Sequence, residues 1–260
     1  MKKIVFIGAG SIIFVKNLIG DCMLTPSLCD SEFALLDINR EKLYLAEGML
    51  KNLNRNVNGG RATVKAYESQ REALAGADFV INAIQVGGYD PCIINDFEIP
   101  LKYGLRQTYA DTLGIGGIMR GLRTIPVMKG ITDDMEELCP NAWLLNYTNP
   151  MAIVTGAVLK SSSIKTIGLC HSVQSCTKNL MDVVGMDCTG VEYKIAGINH
   201  QAWLLEVTKD GRDLYPEIKA RAAQLTEPHE DMVRYEIMKR FGYYVTESSQ
   251  HTAEYTPYFI

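Results

Sequence analysis

The sequence has no run of lysine or arginine, and its formal net charge is −4. That argues against nucleic acid as a main partner, because phosphate backbones are held by clustered positive charge. No apolar stretch reaches the length of a membrane span, so a bilayer is not expected as a partner either. Regular cysteine spacing is also missing. Cys22, Cys29, Cys92, Cys139, Cys170, Cys176 and Cys188 are odd in number and irregularly placed. This argues against a disulfide framework and for the reduced thiols of a cytoplasmic protein. Internal repeats, low-complexity segments and a flexible interdomain linker are lacking. The N-terminus has Lys2-Lys3 and then apolar residues to Val15, but no clear small-residue cleavage site; it reads as a strand and a helix, not as a signal peptide. Apolar residues make up 47% of the 260 positions, enough for a sizeable core.

The organising stretch is Lys3-Ile4-Val5-Phe6-Ile7-Gly8-Ala9-Gly10-Ser11. Its continuous apolar run predicts a parallel strand covered on both faces. Gly8 and Gly10 allow a tight turn and close approach to a pyrophosphate, and a helix from about Ser11 would aim free N–H groups at that anion. The third glycine of the dinucleotide fingerprint is absent; Ile13 stands in its place. Asp37 ends the next apolar run, Phe33-Ala34-Leu35-Leu36, where an acid accepts hydrogen bonds from a ribose.

Strands expected at 33–37, 62–67, 78–83, 143–145 and 165–169 alternate with helices at 12–22, 39–54, 69–74, 117–138 and 151–159. This alternation predicts a Rossmann-type doubly wound parallel sheet. It is followed by an α+β region with strands at 193–198 and 202–207, a turn at 209–212, and helices near 215–224 and 229–241. A dinucleotide-binding domain is thus expected over 1–172, and the start of a substrate and metal domain over 173–260. The glycine- and acid-rich stretch 85–117, after a strand's carboxyl end, lies where open parallel sheets bind ligands.

Cys170 and His200 form a candidate metal pair, both at strand ends. A thiolate and an imidazole suit a divalent transition metal, and two protein ligands leave room for substrate or water. Taken alone, each also fits a structural role. Asp111, Thr112 and Asn149 offer carboxylate, hydroxyl and amide groups to a polyol; Asn149 also fits a turn before Pro150. The tail 241–251 is dense in proton-transfer groups and reads equally as an aromatic core strand with a polar cap.

Together, Gly8-Ala9-Gly10-Ser11, NAIQVGGYDP (82–91), ADTLGIGG (110–117), NYTNPM (146–151), GLCHSV (168–173) and GINH (197–200) resemble glycoside hydrolase family 4 over essentially the whole chain. The resemblance implies bound NAD, with Asn82 joining Gly8, Gly10, Ser11 and Asp37 at its site. It also implies Mn²⁺ or another divalent ion on Cys170 and His200, and sugar contacts from Asn149, Asp111, Thr112 and His171. The implied hydrolysis departs from the usual two-carboxylate scheme. NAD⁺ takes a hydride from C3, a base removes the acidified C2 proton, the C1–oxygen bond breaks by elimination, water adds, and the hydride returns. The base is a tyrosine near this chain's end: Tyr244 is the first candidate and Tyr255 the second, with Glu247 as an alternative acid or base. His171 holds the general-acid position of the phospho-glycosidase branch, and its imidazole can donate or accept near neutral pH.

Cys-His-Ser-Val at 170–173 is similar to the α-galactosidase branch of that family. His171 and Val173 depart from the phospho-glycosidase pattern, which argues against a 6-phosphorylated substrate. The resemblance therefore implies hydrolysis of small α-galactosides such as melibiose by a cytoplasmic homo-oligomer, dimeric or tetrameric when full length. Family members are considerably longer, so the second domain is expected to be truncated here. The alternatives are an NAD-dependent dehydrogenase of the lactate/malate type, or a dinucleotide-binding fragment without chemistry.

Overall fold

The computed structural model describes residues 1–227 and 229–259. The chain forms two compact units, Met1–Asp90 with Arg120–Leu169, and Pro91–Met119 with Cys170–Ile260. The segment Pro91–Met119, which a boundary at 172/173 did not separate out, groups with the second unit.

The first unit holds six parallel strands: β1 (Lys3–Ile7), β2 (Glu32–Leu36), β3 (Thr63–Tyr67), β4 (Phe79–Asn82), β5 (Trp143–Asn146) and β6 (Lys165–Gly168). Their order is β3-β2-β1-β4-β5-β6, the doubly wound order of dinucleotide-binding folds. The apolar run of β1 is continuous because both faces of the sheet are covered. Val5 and Ile7 pack with Ala34, Val80 and Leu144 on one side, against Met128, Ile131 and Met135. Ile4 and Phe6 pack with Phe33 and Leu35 on the other, against Val15, Ile19 and Leu50. Each such fully buried side chain contributes about 1.5–3 kcal/mol relative to exposure.

The covering helices are α1 (Ile12–Leu24), α2 (Arg40–Asn58), the short α3 (Gln70–Leu74), the C-terminal part of α5 (Gly114–Leu138) and α6 (Met151–Ser161). Helix α2 runs one turn past its expected end. Asn39 caps its start by accepting the Lys42 N–H at 3.0 Å, and Gly59, at φ +61°, stops it.

An irregular helical turn at Gly88–Ile93 leads into α4 (Ile94–Leu101), and the division between the units falls within α5 (Gly114–Leu138). The rest of the second unit comprises α7 (Ser172–Val183), β7 (Glu192–Ile198), β8 (Gln201–Lys209), β9 (Arg212–Asp213), α8 (Tyr215–Ala222), α9 (Met232–Phe241), β10 (Tyr244–Val245) and α10 (Ser249–Tyr255). Its antiparallel sheet runs β10-β8-β7, with β9 paired to β8. A core of Leu180, Met181, Leu204, Val207, Ile218, Met238 and Tyr244 lies beneath it. Helices α7 and α10, both of which carry site residues, were not read from the sequence.

Candidate active site

The first unit offers a site built from backbone. Gly8 turns at φ +91°, and a Cβ there would stand 2.6 Å from the carbonyl oxygen of Ala83, so the turn admits only glycine. The Gly10 N–H donates to Asp37 Oδ2 at 2.6 Å, and the Asn39 N–H donates to Asp37 Oδ1 at 2.8 Å. The acid that ends β2 is thus held beside the glycine turn. Ser11 occupies the exposed N-cap position of α1 and makes no capping hydrogen bond. Asn82 is fully buried at the end of β4 and donates to Asn146 Oδ1 and Thr148 Oγ1, both at 2.9 Å. Its own Oδ1 is buried with no hydrogen-bond partner. Asn149 lies in the loop after β5 and joins Pro150 through a cis peptide. The close glycine turn, the neighbouring acid and this orphaned amide oxygen fit a dinucleotide with its pyrophosphate at the start of α1.

The second unit offers a site built from side chains. Gly168 ends β6, and Cys170 lies just ahead of the first turn of α7. His200 sits at the apex of the β7–β8 hairpin, where Ile198 pairs with Gln201 and His200 itself adopts φ +61°. Cys170 Sγ lies 3.3 Å from His200 Nε2 and 3.1 Å from Ser172 Oγ. Glu247 Oε2 is 3.4 Å from His200 Nε2 and accepts a short hydrogen bond from Ser172. One ligand atom from each of Cys170, His200 and Glu247 lies within 4.8 Å of the others. Asp111, His200 and His251 meet the same measure. A thiol, imidazole and carboxylates at this spacing are a donor set that fits a divalent transition metal.

The His200 tautomer follows from counting protons. The Thr112 hydroxyl donates to Asp111 Oδ1 at 2.8 Å, so its oxygen accepts from His200 Nδ1–H at 2.5 Å. The Nε2 lone pair then faces Cys170 and Glu247, as metal ligation requires.

Without a metal, Cys170 and His200 favour each other's charged forms. Burial opposes the Cys170 thiolate, but its contacts with His200 and Ser172 outweigh it and lower its pKa. Burial also opposes the His200 imidazolium, but Cys170 and Glu247 outweigh it and raise its pKa. Glu247 is held low despite burial by Ser172, the Ser248 N–H and both histidines. Burial lowers His251, against the pull of Glu247 and Asp111.

Helix α10 supplies the other wall. His251 Nδ1 bonds Ser248 Oγ at 2.8 Å, and its ring stacks on Tyr109 at 3.7 Å. The Tyr255 hydroxyl donates to Asp111 Oδ1 at 3.4 Å, and burial raises its pKa. Buried Arg234 donates to the carbonyls of Val245 and Thr246, pinning the chain just ahead of Glu247. A polar pocket of about 500 Å³ lies against His171, Ser172, Glu247 and Gln250, and the His171 side chain is exposed at it. On either side of His200, Asn199 Oδ1 and Gln201 Oε1 are buried without partners.

The structure therefore brings Cys170, His200, Glu247, Asp111, Thr112 and Tyr255 together and leaves Tyr244 elsewhere. Tyr244 is fully buried in the core, donates its hydroxyl to Asp231 at 3.2 Å, and lies under the Arg234 guanidinium at 4.2 Å. Burial raises its pKa strongly. Sequence reasoning missed Ser172, His251 and Glu254. The spacing of His251, Glu254 and Tyr255 at i, i+3 and i+4 was the available signal for one face of a helix.

The class that the fold and glycine turn define is a Rossmann-type α/β protein, and the thiol–imidazole cluster narrows it. The sequence pattern of the family 4 glycosyl hydrolases matches residues 3–186, and that of the family's C-terminal domain matches 195–259. The chain belongs to that family.

It is 62% identical to an α-galactosidase of Bacillus subtilis over 261 aligned residues, covering 100% of this chain and 60% of that protein. The chain thus spans well under two thirds of the relative's length. The solved structure of lplD from Bacillus subtilis matches 98% of this chain and 63% of its own at 27% identity and a TM-score of 0.88. The 6-phospho-β-glucosidase of Thermotoga maritima, solved with manganese, NAD⁺ and glucose-6-phosphate, matches 98% and 60% at 25% identity and a TM-score of 0.81.

Proposed function

We propose that this chain carries the cofactor and metal machinery of an α-galactosidase that uses NAD and a divalent metal, Mn²⁺ foremost, to hydrolyse small α-galactosides. One observation carries the reading: a thiol, an imidazole and a carboxylate converge within 4.8 Å in a chain 62% identical to an α-galactosidase. The Cys-His-Ser-Val string at 170–173 supports the same sugar. Membership of a hydrolase family across both matched regions disfavours a lactate/malate-type dehydrogenase.

In this reading the first unit holds the dinucleotide through Gly8, Gly10, Ser11, Asp37 and Asn82. In the second unit, Cys170 and His200 hold the metal, and Glu247 stands close enough to join them or to move a proton. When bound, the dinucleotide takes and returns a hydride while the metal polarises the sugar's oxygens. Asp111, Thr112 and Asn149 orient sugar hydroxyls. Tyr255, beside Asp111 in the cluster, takes the place of the base in preference to Tyr244, which lies in the core under Arg234. His171, exposed at the polar pocket, contacts the sugar or donates the leaving-group proton. No helix among the described residues is long and apolar enough to cross a membrane. Seven unpaired cysteines support a reducing, cytoplasmic setting; the full-length protein is proposed to be a dimer or tetramer.

The test is hydrolysis of an aryl α-galactoside under reducing conditions, with and without NAD⁺ and Mn²⁺, following aryl alcohol and NADH together. Release that needs both additions, with no net NADH, is expected. Stoichiometric NADH, equal turnover of α-glucosides, or no release with both present would overturn the reading.

A further inference from the structure

The geometry points to Glu254 as a positioning residue for the metal centre, an inference that rests on the metal reading above. Its carboxylate sits in a nest of consecutive backbone N–H groups. Thr108 N–H and Tyr109 N–H donate to Oε2 at 2.8 and 2.7 Å, and Ala110 N–H donates to Oε1 at 3.0 Å. The Thr108 hydroxyl adds a further bond to Oε2 at 2.9 Å. Ala110 adopts φ +50°, a left-handed conformation that a non-glycine residue holds only when its surroundings enforce it. Such nests usually bind an external anion; here the occupant is the chain's own carboxylate.

The nest gains a role from its neighbours along the chain. Asp111 and Thr112 come next, and Thr112 is the acceptor that fixes the His200 tautomer. The loop's far side is shaped to lie flat: a Cβ at Gly116 would meet the Ala110 Cβ at 2.6 Å, and one at Gly117 would meet the Thr112 carbonyl carbon at 2.7 Å. Glu254 thus clamps one end of a short rigid lever whose other end holds the imidazole. The same helix face presents His251 and Tyr255, so one carboxylate registers both walls of the centre. Glu254 touches neither Cys170 nor His200 among its hydrogen bonds; it acts through Thr112.

The test measures Mn²⁺ affinity by the electron paramagnetic resonance signal of the free ion, and amide exchange over 106–112 by mass spectrometry. The proteins are the unmodified chain, E254Q, T112V, T112S and E254Q/T112V. E254Q replaces an acceptor with a donor facing N–H groups. It is expected to speed exchange at 108–110 and to lower Mn²⁺ affinity about tenfold to a hundredfold, the range for lost outer-shell partners. T112V is expected to lower affinity to a similar degree while exchange at 108–110 stays slow, and T112S to bind as the unmodified chain does. Because both act through one linkage, the double variant should bind no more weakly than the weaker single.

Unchanged exchange in E254Q, unchanged affinity despite a loosened loop, or additive losses would each overturn the inference. Should E254Q not fold, T108V removes a donor from the same carboxylate and is read in the same way, with smaller changes. If the unmodified chain takes up no Mn²⁺, the metal reading falls. The exchange arm then decides Glu254 by itself: faster exchange at 108–110 supports the clamp, and unchanged exchange overturns it.

Discussion

The two units build their candidate sites from different material. In the first, the working parts are backbone: a glycine turn at the end of β1, a helix start, and an acid whose carboxylate already holds the Gly10 N–H. In the second, they are side chains drawn from the 107–112 loop, the start of α7, a hairpin apex and α10. A backbone site tolerates most side-chain change and fails when a Cβ appears. A side-chain site fails when a single ligand atom is removed, while the surrounding fold persists.

The contrast is broken most severely at His200. His200→Asn retains a residue that accepts the left-handed conformation but removes the imidazole. Mn²⁺ affinity should fall by more than about a hundredfold, beyond the range of outer-shell losses, while NAD binding is unchanged. Isothermal titration with each ligand checks both halves, and parallel losses of both would contradict the separation.

Gly8→Ala is the mirror experiment. Strain at φ +91° and the 2.6 Å clash with Ala83 should cost about 1–3 kcal/mol of stability and weaken NAD binding, leaving Mn²⁺ binding intact. Thermal unfolding together with the same titrations would reveal it.

A smaller effect sharpens the second site. His200 must be neutral to ligate, and its pKa is raised above the ordinary 6.5, whereas that of Cys170 is lowered. Mn²⁺ affinity should therefore fall as the pH drops through the elevated His200 value, by about tenfold per pH unit for each ligand that must lose a proton to bind. Flat affinity across that range would mean that His200 is not a ligand.

The smallest change in stability separates the two tyrosines. Tyr244→Phe should cost about 1 kcal/mol of stability through the lost hydrogen bond to Asp231 and leave turnover nearly intact. Tyr255→Phe should leave stability nearly intact and abolish turnover. Denaturant melts paired with aryl α-galactoside assays would distinguish them, and the reverse pattern would restore Tyr244 as the base.

The same contrast explains what could be read in advance. The strands of the first unit were legible because a sheet covered on both faces needs unbroken apolar runs, and the turn after β1 was legible because only glycine fits there. The pair Cys170 and His200 stood out by residue type and by the strings around it. Helix α7 was missed because its sequence, Ser-Val-Gln-Ser-Cys-Thr-Lys-Asn-Leu-Met-Asp-Val, buries only Cys176, Thr177, Leu180 and Met181, a narrow stripe in a polar segment. Helix α10, with seven residues, is too short to declare a period. Tyr244 invited a catalytic reading because the resemblance implies a tyrosine base near this chain's end, and a sequence does not show which tyrosine is buried. Its burial depends on Arg234 and Asp231, whose contact with it comes only from the packing of α9 on β10. Beyond its shared helix face with His251 and Tyr255, the role of Glu254 could not be read from sequence, since its partners are backbone groups about 145 positions away.

The hairpin that carries His200 has a consequence for how this protein can vary. The imidazole stands at the apex because Ile198 pairs with Gln201, and that pairing is fixed in turn by an irregularity between Lys194 and Ile195. Gly197 closes the pinch, since a Cβ there would come within 2.5 Å of Ala202 Cα. The ligand's address is therefore set by arithmetic along two strands. Exchanging the exposed residues of β7 for others should matter little, but adding or removing one should turn the apex toward the opposite face of the sheet and carry His200 away from Cys170.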